Sequence, residues 1–363
     1  MKIIKASTKM KNLLITLPAL LLLAGTISCD KQDPPAADAT LHIDWVDVRT
    51  KGAATDAEKQ VNTLWFYVFD ANGMLETAHQ CDAAELSARR AGFNVKLGNK
   101  TVYAIANLGG TPLTSAKSCV KLSDLEAVKI DLTDNATDGF VMTAKGSVAV
   151  VADKDATCSL SLARAVAKVS LGTVTNNLPT PYGAVKVRQA FLCNVVGNQN
   201  LGGTASPSTW YNQNGTDAKN GGKTATIGQG GHKAQAAAFT WKSYDSGQSI
   251  ALNGKYNFSA GAVFYGMPNP TQAVPSGSPY TSSFTPTCTV LMLVVEIKGV
   301  LYYYPVPLSK QLVRNTDNLV NIKIIGLGNT LEEGPFNKIG RAGLTVEVGV
   351  LDWSGGSTYT ETI

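Results

Sequence analysis

The sequence predicts an all-β protein made of sandwiches, on three observations. Short runs rich in β-branched and aromatic residues recur along the chain, separated by Gly, Asn and Asp turn signals. Charged residues make up only 16% and glycines number 34 of 363, which suits a turn-rich exported protein better than a helical enzyme. Helical patterns are short and weak, as over Cys81–Arg90 and Leu122–Val128.

The first segment is an export signal. Lys2, Lys5, Lys9 and Lys11 precede an apolar run, LLITLPALLLLAGTIS, that stops at Cys29. A basic start, a short apolar stretch and small residues before the stop describe a signal peptide over 1–28, too short and abruptly ended for a membrane span. Thr26-Ile27-Ser28-Cys29 resembles a lipobox with Thr in place of the usual Leu, so Cys29 is expected to be lipidated; ordinary cleavage near Ser28 is the alternative. A polar, Pro-bearing tether (DKQDPPAADA) follows. Thr40–Val48 then reads as one strand, with Leu41, Ile43 and Trp45 alternating against His42 and Asp44. Arg49 and Thr50 open a small, flexible stretch behind it, so this strand is followed directly by an exposed basic residue.

Val61–Asp70 is a central strand ending in the turn Ala71-Asn72-Gly73. Gly92–Leu97 and Thr101–Asn107 form a strand–turn–strand unit about Gly98-Asn99-Lys100. Val148–Ala152 and Thr157–Leu162 read as a hairpin turned at Asp153-Lys154-Asp155. Leu160–Leu171 is ambiguous between helix and strand and marks a junction, with Arg164 and Lys168 read as surface charges. A second strand set begins at Val185–Val196. Gly197–Gln235 is a long Gly-, Asn- and Thr-rich insert that reads as a surface loop. Strands resume at Phe258–Met267, Leu291–Ile297, Val300–Leu308 and Leu319–Ile325, with a hairpin about Lys298-Gly299. Leu344, Val346, Val348 and Val350 alternate in the closing strand up to Trp353.

No constellation for chemistry emerges. The formal charge of +5 is mostly signal peptide; without it 28 basic residues face 27 acidic ones, and no basic aromatic platform for nucleic acid is present. The three histidines, His42, His79 (in a loop) and His232, lie far apart, and no HExxH, GxSxG or P-loop spacing occurs. Gly228–Lys233 (GQGGHK) is too loose for a phosphate cradle. Asp131, Asp134 and Asp138 lack the spacing of a calcium loop and read as a solvated acidic turn. The six cysteines contain no CxxC pair: apart from Cys29, they read mostly as buried small hydrophobes, although export permits a disulfide or two. Tyr302-Tyr303-Tyr304 reads as alternate strand faces in a core, while Trp210-Tyr211 could stack on sugars. The expectation is a structural or binding protein with no enzyme activity, cofactor or metal.

Several stretches together resemble the Bacteroidales major fimbrial subunits (fimbrillins, type V pilins). They are Leu64–Asp70 with Asn72-Gly73, Val102–Asn107, Arg164–Val169, Phe264–Asn269, Tyr302–Val306, Val313–Asn315 and the strand up to Asp352-Trp353. The resemblance implies two tandem transthyretin-like β-sandwich domains after a lipoprotein signal peptide. It divides the chain into the signal 1–28, a tether and removable first strand 29–50, sandwiches 51–163 and 164–343, and a donor tail 344–363. It implies lipidation at Cys29 and anchoring in the outer membrane. It further implies cleavage between Arg49 and Thr50 by an Arg-specific surface protease, loss of the strand bearing Leu41, Ile43 and Trp45, and polymerisation with identical subunits. Leu344, Val346, Val348, Val350 and Trp353 would enter the vacated groove of a neighbour, and the fimbria would support adhesion to host proteins or glycans. The alternatives are a non-polymerising, glycan-binding surface lipoprotein that uses the 197–235 insert, or a tip or anchor subunit.

Overall fold

The computed structural model describes residues 38–47, 57–137, 139–203, 207–212, 236–259, 261–270, 288–308, 312–331 and 344–352. The first half contains β1 (Asp38–Asp47), β2 (Leu64–Phe69), β3 (Leu75–Gln80), β4 (Arg90–Lys96), β5 (Gly98–Ala106), β6 (Lys129–Asp131), β7 (Met142–Val150) and β8 (Ala156–Arg164). Three short helices interrupt them: α1 (Ala83–Ala88), α2 (Gly110–Lys117) and α3 (Leu122–Ala127). The main sheet runs β3-β2-β5-β7-β8-β1-β4. It folds over at the β7–β8 contact, where only Met142–Arg164 and Thr143–Ala163 are paired.

That fold-over corrects one expectation. The turn near Asp153 exists, with Asp153 at φ 60°, but the strands on either side do not form a hairpin along their length. The rest of β7 pairs with β5, and β8 pairs with β1. Leu41, Ile43 and Trp45 on one layer share a core with Leu64, Phe66, Val68, Val102 and Ala104 on the other. Where the layers approach, Gly146 leaves no room: a Cβ there would stand 2.7 Å from Leu160 Cδ2 and 3.0 Å from Cys158 Sγ. Gly146→Ala is expected to cost about 1–3 kcal/mol by overpacking, read as a lower urea midpoint at constant m-value.

Gly98-Asn99-Lys100 is the start of β5 rather than a turn, since Gly98 adopts φ 114° and carries the chain from one layer to the other. His79 lies in β3, not in a loop. The turn after β2 is as expected: Asp70 Oδ1 accepts the backbone N–H groups of Asn72 and Met74, and Gly73 sits at φ 74°.

The second half contains β9 (Ala167–Asn176), β10 (Val185–Cys193), β11 (Val195–Val196), β12 (Asn198–Asn200), β13 (Trp210–Tyr211) and the single-turn α4 (Ala237–Thr240). There follow β14 (Trp241–Ile250), β15 (Lys255–Asn257), β16 (Val263–Gly266), β17 (Val290–Ile297), β18 (Val300–Pro307), β19 (Thr316–Ile324) and β20 (Leu344–Asp352). One sheet runs β14-β10-β17-β18 and another β15-β9-β19-β20, with β16 also on β9. β17 and β18 form the expected hairpin, closing at Ile297–Val300 through Lys298 (φ 50°) and Gly299 (φ 80°), both left-handed as a type I′ turn requires. Tyr303 and Tyr304 are buried in different apolar clusters, as consecutive strand residues should be.

Sheets change at Arg164–Ala167, but apolar packing does not stop there. One cluster runs from Tyr67, Phe69, Tyr103 and Ile105 on the first half through Val169 and Leu192 to Ile322 on the second. The ribbon β6–β12 spans the same junction. Of the 197–235 insert, residues 197–203 and 207–212 are described, and they include β12 and β13; His232 and the GQGGHK run lie outside the described residues. No described helix is long and apolar enough to cross a membrane.

Candidate functional site

The segment of greatest functional interest, β1, is an interior strand. It runs antiparallel to β4, from Asp38–Lys96 to Asp44–Arg90, and parallel to β8, from Leu41–Ala156 to Asp47–Leu162. Period-2 alternation decides which side chains go inward. Leu41 and Ile43 are fully buried and Trp45 is 3% exposed, its ring 5.4 Å from that of Phe66. His42 and Asp44 point the other way, His42 3.6 Å from Asp155 and Asp44 3.6 Å from Arg90. Removing β1 would leave facing edges on β4 and β8, above an apolar floor on the other layer that includes Phe66, Val68 and Val102. Cys29, Arg49 and Thr50 lie outside the described residues.

The chain resumes at a short 3-10 turn, Ala57–Lys59, and here the fold is anchored by a polar cluster that sequence reasoning missed. Arg164 and Lys168, read from the sequence as surface charges, are 1% and 3% exposed. Arg164 Nε donates to the Glu58 carbonyl at 2.7 Å, and its Nη1 to Asn315 Oδ1 at 3.1 Å. Lys168 Nζ lies 3.0 Å from Glu58 Oε1 and 3.7 Å from Asp317 Oδ2. Tyr265 donates to Glu58 Oε1 at 2.6 Å, and Ser170 to Asp317 Oδ1 at 2.8 Å. Burial holds the Asp317 carboxyl above the usual range, opposed by Lys168 and Ser170. Arg314 adds a second tie, donating to the carbonyls of Arg164 and Ala163 and to the Thr143 hydroxyl. Asn107 fixes the next residues: its Oδ1 accepts the N–H groups of Asn62 and Thr63, and its Nδ2 donates to the Gln60 and Phe140 carbonyls. Charges set among apolar strand residues (ARAVAKVSL) were the only sequence signal for this cluster.

The closing strand β20 pairs with β19 of its own chain, from Thr316–Asp352 to Ile324–Leu344. Among the described residues it occupies the edge of its sheet. The register sets Leu344, Val346, Val348 and Val350 opposite Ile324, Ile322, Val320 and Asn318. Trp353 lies outside the described residues.

Other candidates are occupied structurally. His79, Cys81 and Glu85 offer ligand atoms within 4.8 Å of one another. His79 Nε2, however, already sits 2.8 Å from Glu85 Oε2, which also caps the Asp82 N–H, and burial together with Glu85 and Asp82 pushes the Cys81 thiol up to about 12. Asp131 accepts from Thr133 and from Tyr211, and Asp134 from the Asp131 N–H, so these acids cap a turn; Asp138 is outside the described residues. Trp210 is half-buried against the main core, which leaves little of it to stack on a sugar. No disulfide joins any two of Cys81, Cys119, Cys158, Cys193 and Cys288.

A family model for the major fimbrial subunit protein FimA matches residues 39–228, from β1 through β13 and into the insert. The chain belongs to the FimA major fimbrial subunit family. Membership makes it a fimbrial subunit of the cell surface, of a structural rather than catalytic family. No curated protein sequence matches it. Among solved structures, a fimbrilin (FimA) from Porphyromonas gingivalis is similar at a TM-score of 0.57 and 15% identity, over 88% of this chain and 99% of that one. The tip fimbrial protein Mfa3 from the same organism, with a C-terminal truncation, is similar at 0.50 and 16%, over 87% of this chain and 100% of that one. At such identities the likeness speaks for the FimA-type fold alone, and the expected all-β architecture agrees with it.

Proposed function

We propose that the chain is a stalk subunit that polymerises by donor-strand exchange. Residues 1–28 direct export, Cys29 carries lipid into the outer membrane, and an Arg-specific surface protease cuts between Arg49 and Thr50. β1 then departs, and residues 344–363 of an identical subunit take its place with Leu344, Val346, Val348, Val350 and Trp353 as the entering positions. The resulting fimbria supports adhesion to host proteins or glycans.

The observation that carries this reading is the interior position of β1. Its loss exposes two unpaired edges, a template for strand addition. Three inward side chains at about 1.5–3 kcal/mol each give roughly 5–9 kcal/mol of gross apolar burial for an occupant to recover. β20 supplies the alternating pattern and holds one ladder at a sheet edge, whereas the slot offers two. Exchange therefore gains a row of backbone hydrogen bonds. Until the cut, β1 is both part of the fold and a block on assembly.

Arg49→Ala tests the reading. Cells carrying it are expected to hold an unpolymerised lipoprotein whose surface form begins at Cys29, while the wild type yields fimbriae beginning at Thr50. Fimbriae of normal length from the variant would refute the mechanism. A glycan-binding lipoprotein that never polymerises would keep β1 in both strains.

A further inference from the structure

We propose that Lys168 and Asp317 condense into an intramolecular amide cross-link, with Glu58 carrying the protons. The proposal rests on the buried cluster alone and holds whether or not the chain polymerises.

The two residues are register partners on neighbouring strands, Lys168 on β9 and Asp317 on β19, which run parallel. All three groups are withdrawn from water: Glu58 is 2% exposed, Lys168 3% and Asp317 8%. An amine needs three things to acylate itself on a carboxyl: contact, a base to take its proton, and stabilisation of the oxygen left behind. Each is present. Lys168 Nζ stands 3.7 Å from Asp317 Oδ2 and 3.0 Å from Glu58 Oε1. Ser170 Oγ donates to the other carboxyl oxygen, Oδ1, at 2.8 Å, where negative charge gathers as nitrogen attacks. Tyr265 donates to the same Glu58 oxygen, Oε1, at 2.6 Å and so holds the base in place. The neighbouring amides are differently employed: Asn318 Nδ2 donates to the Lys168 carbonyl, and Asn315 Oδ1 accepts from Arg164. Burial also favours the protonated, electrophilic form of the Asp317 carboxyl.

The step balances without an oxidant or co-reactant. The Nζ–Cγ bond forms and the Cγ–Oδ2 bond breaks. Nζ begins as an ammonium and ends as an amide N–H; its other two protons leave on Oδ2 as water, relayed by Glu58. Oδ1 remains as the amide carbonyl, still held by Ser170. One cation and one anion vanish together, so Arg164 and Glu58 are left matched. The product ties the first strand after the sheet junction to the strand that carries β20, closing the intervening chain into a covalent loop.

The test is mass spectrometry of the purified, denatured full-length protein. The chain is expected to be lighter than its sequence by one water, about 18 Da, and its tryptic digest to contain one branched species joining the peptides of Lys168 and Asp317. Glu58→Gln, which keeps side-chain size, is expected to show the circular dichroism of the wild type and at least tenfold less of the branched species. Linear peptides bearing free Lys168 and Asp317, recovered from folded wild-type protein, would overturn the proposal whatever the variants do. Equal branching in folded Glu58→Gln would remove Glu58 from it.

Discussion

Trp45→Ala is expected to lower the unfolding free energy of the uncut chain by about 3–5 kcal/mol. Trp45 is 3% exposed, packs its ring 5.4 Å from Phe66, and sits on a strand bonded on both sides. Truncation removes the largest inward side chain of β1 and leaves a hole between layers that are tied by backbone ladders and cannot collapse freely. A denaturant titration checks it: the midpoint should fall with the m-value unchanged. The same substitution should hasten loss of β1 after proteolysis, since less apolar contact then retains it. A cost below about 1 kcal/mol, the range of an exposed substitution, would mean that β1 does not fill its slot in solution.

Arg164→Ala should cost a comparable amount, about 3–5 kcal/mol, because removing one member of a buried charged cluster leaves its charge uncompensated. Glu58's carbonyl loses the Arg164 Nε donor, Asn315 Oδ1 keeps only the Arg164 backbone N–H of its two Arg164 donors, and the cluster gives up a buried cation. Arg164→Lys should recover only part of the loss, since an ammonium cannot reproduce the guanidinium fork. Thermal unfolding read at low and high salt checks the account. A surface charge would show a cost that salt erases, whereas a buried one should persist.

These two residues also mark what the sequence made legible. Alternation in TLHIDWVDV fixed β1 and its inward face because a strand's period is a local property. The Ala71-Asn72-Gly73 turn and the Lys298-Gly299 hairpin were readable for the same reason: left-handed φ values select their residues. Pairing partners were not readable. Nothing near Asp153 says that the strands beside it will separate, since β5 and β1 capture them from elsewhere in the chain. Arg164 and Lys168 look solvated until Glu58, 110 residues from Lys168, folds back onto them. α2 carried no helical pattern to read: it begins with Gly110 and holds Pro112, which a first helical turn tolerates. At the candidate site, β1 and its inward residues were legible, and the anchor beside them was not.

β1 runs against β4 and along with β8. An occupant that reproduces the same two ladders, antiparallel on β4 and parallel on β8, travels in the direction of β1. Under the proposed exchange each subunit would offer one oriented socket and one oriented plug, a head-to-tail contact that can repeat without end. A filament built by that contact would have every member facing the same way and therefore two distinguishable ends.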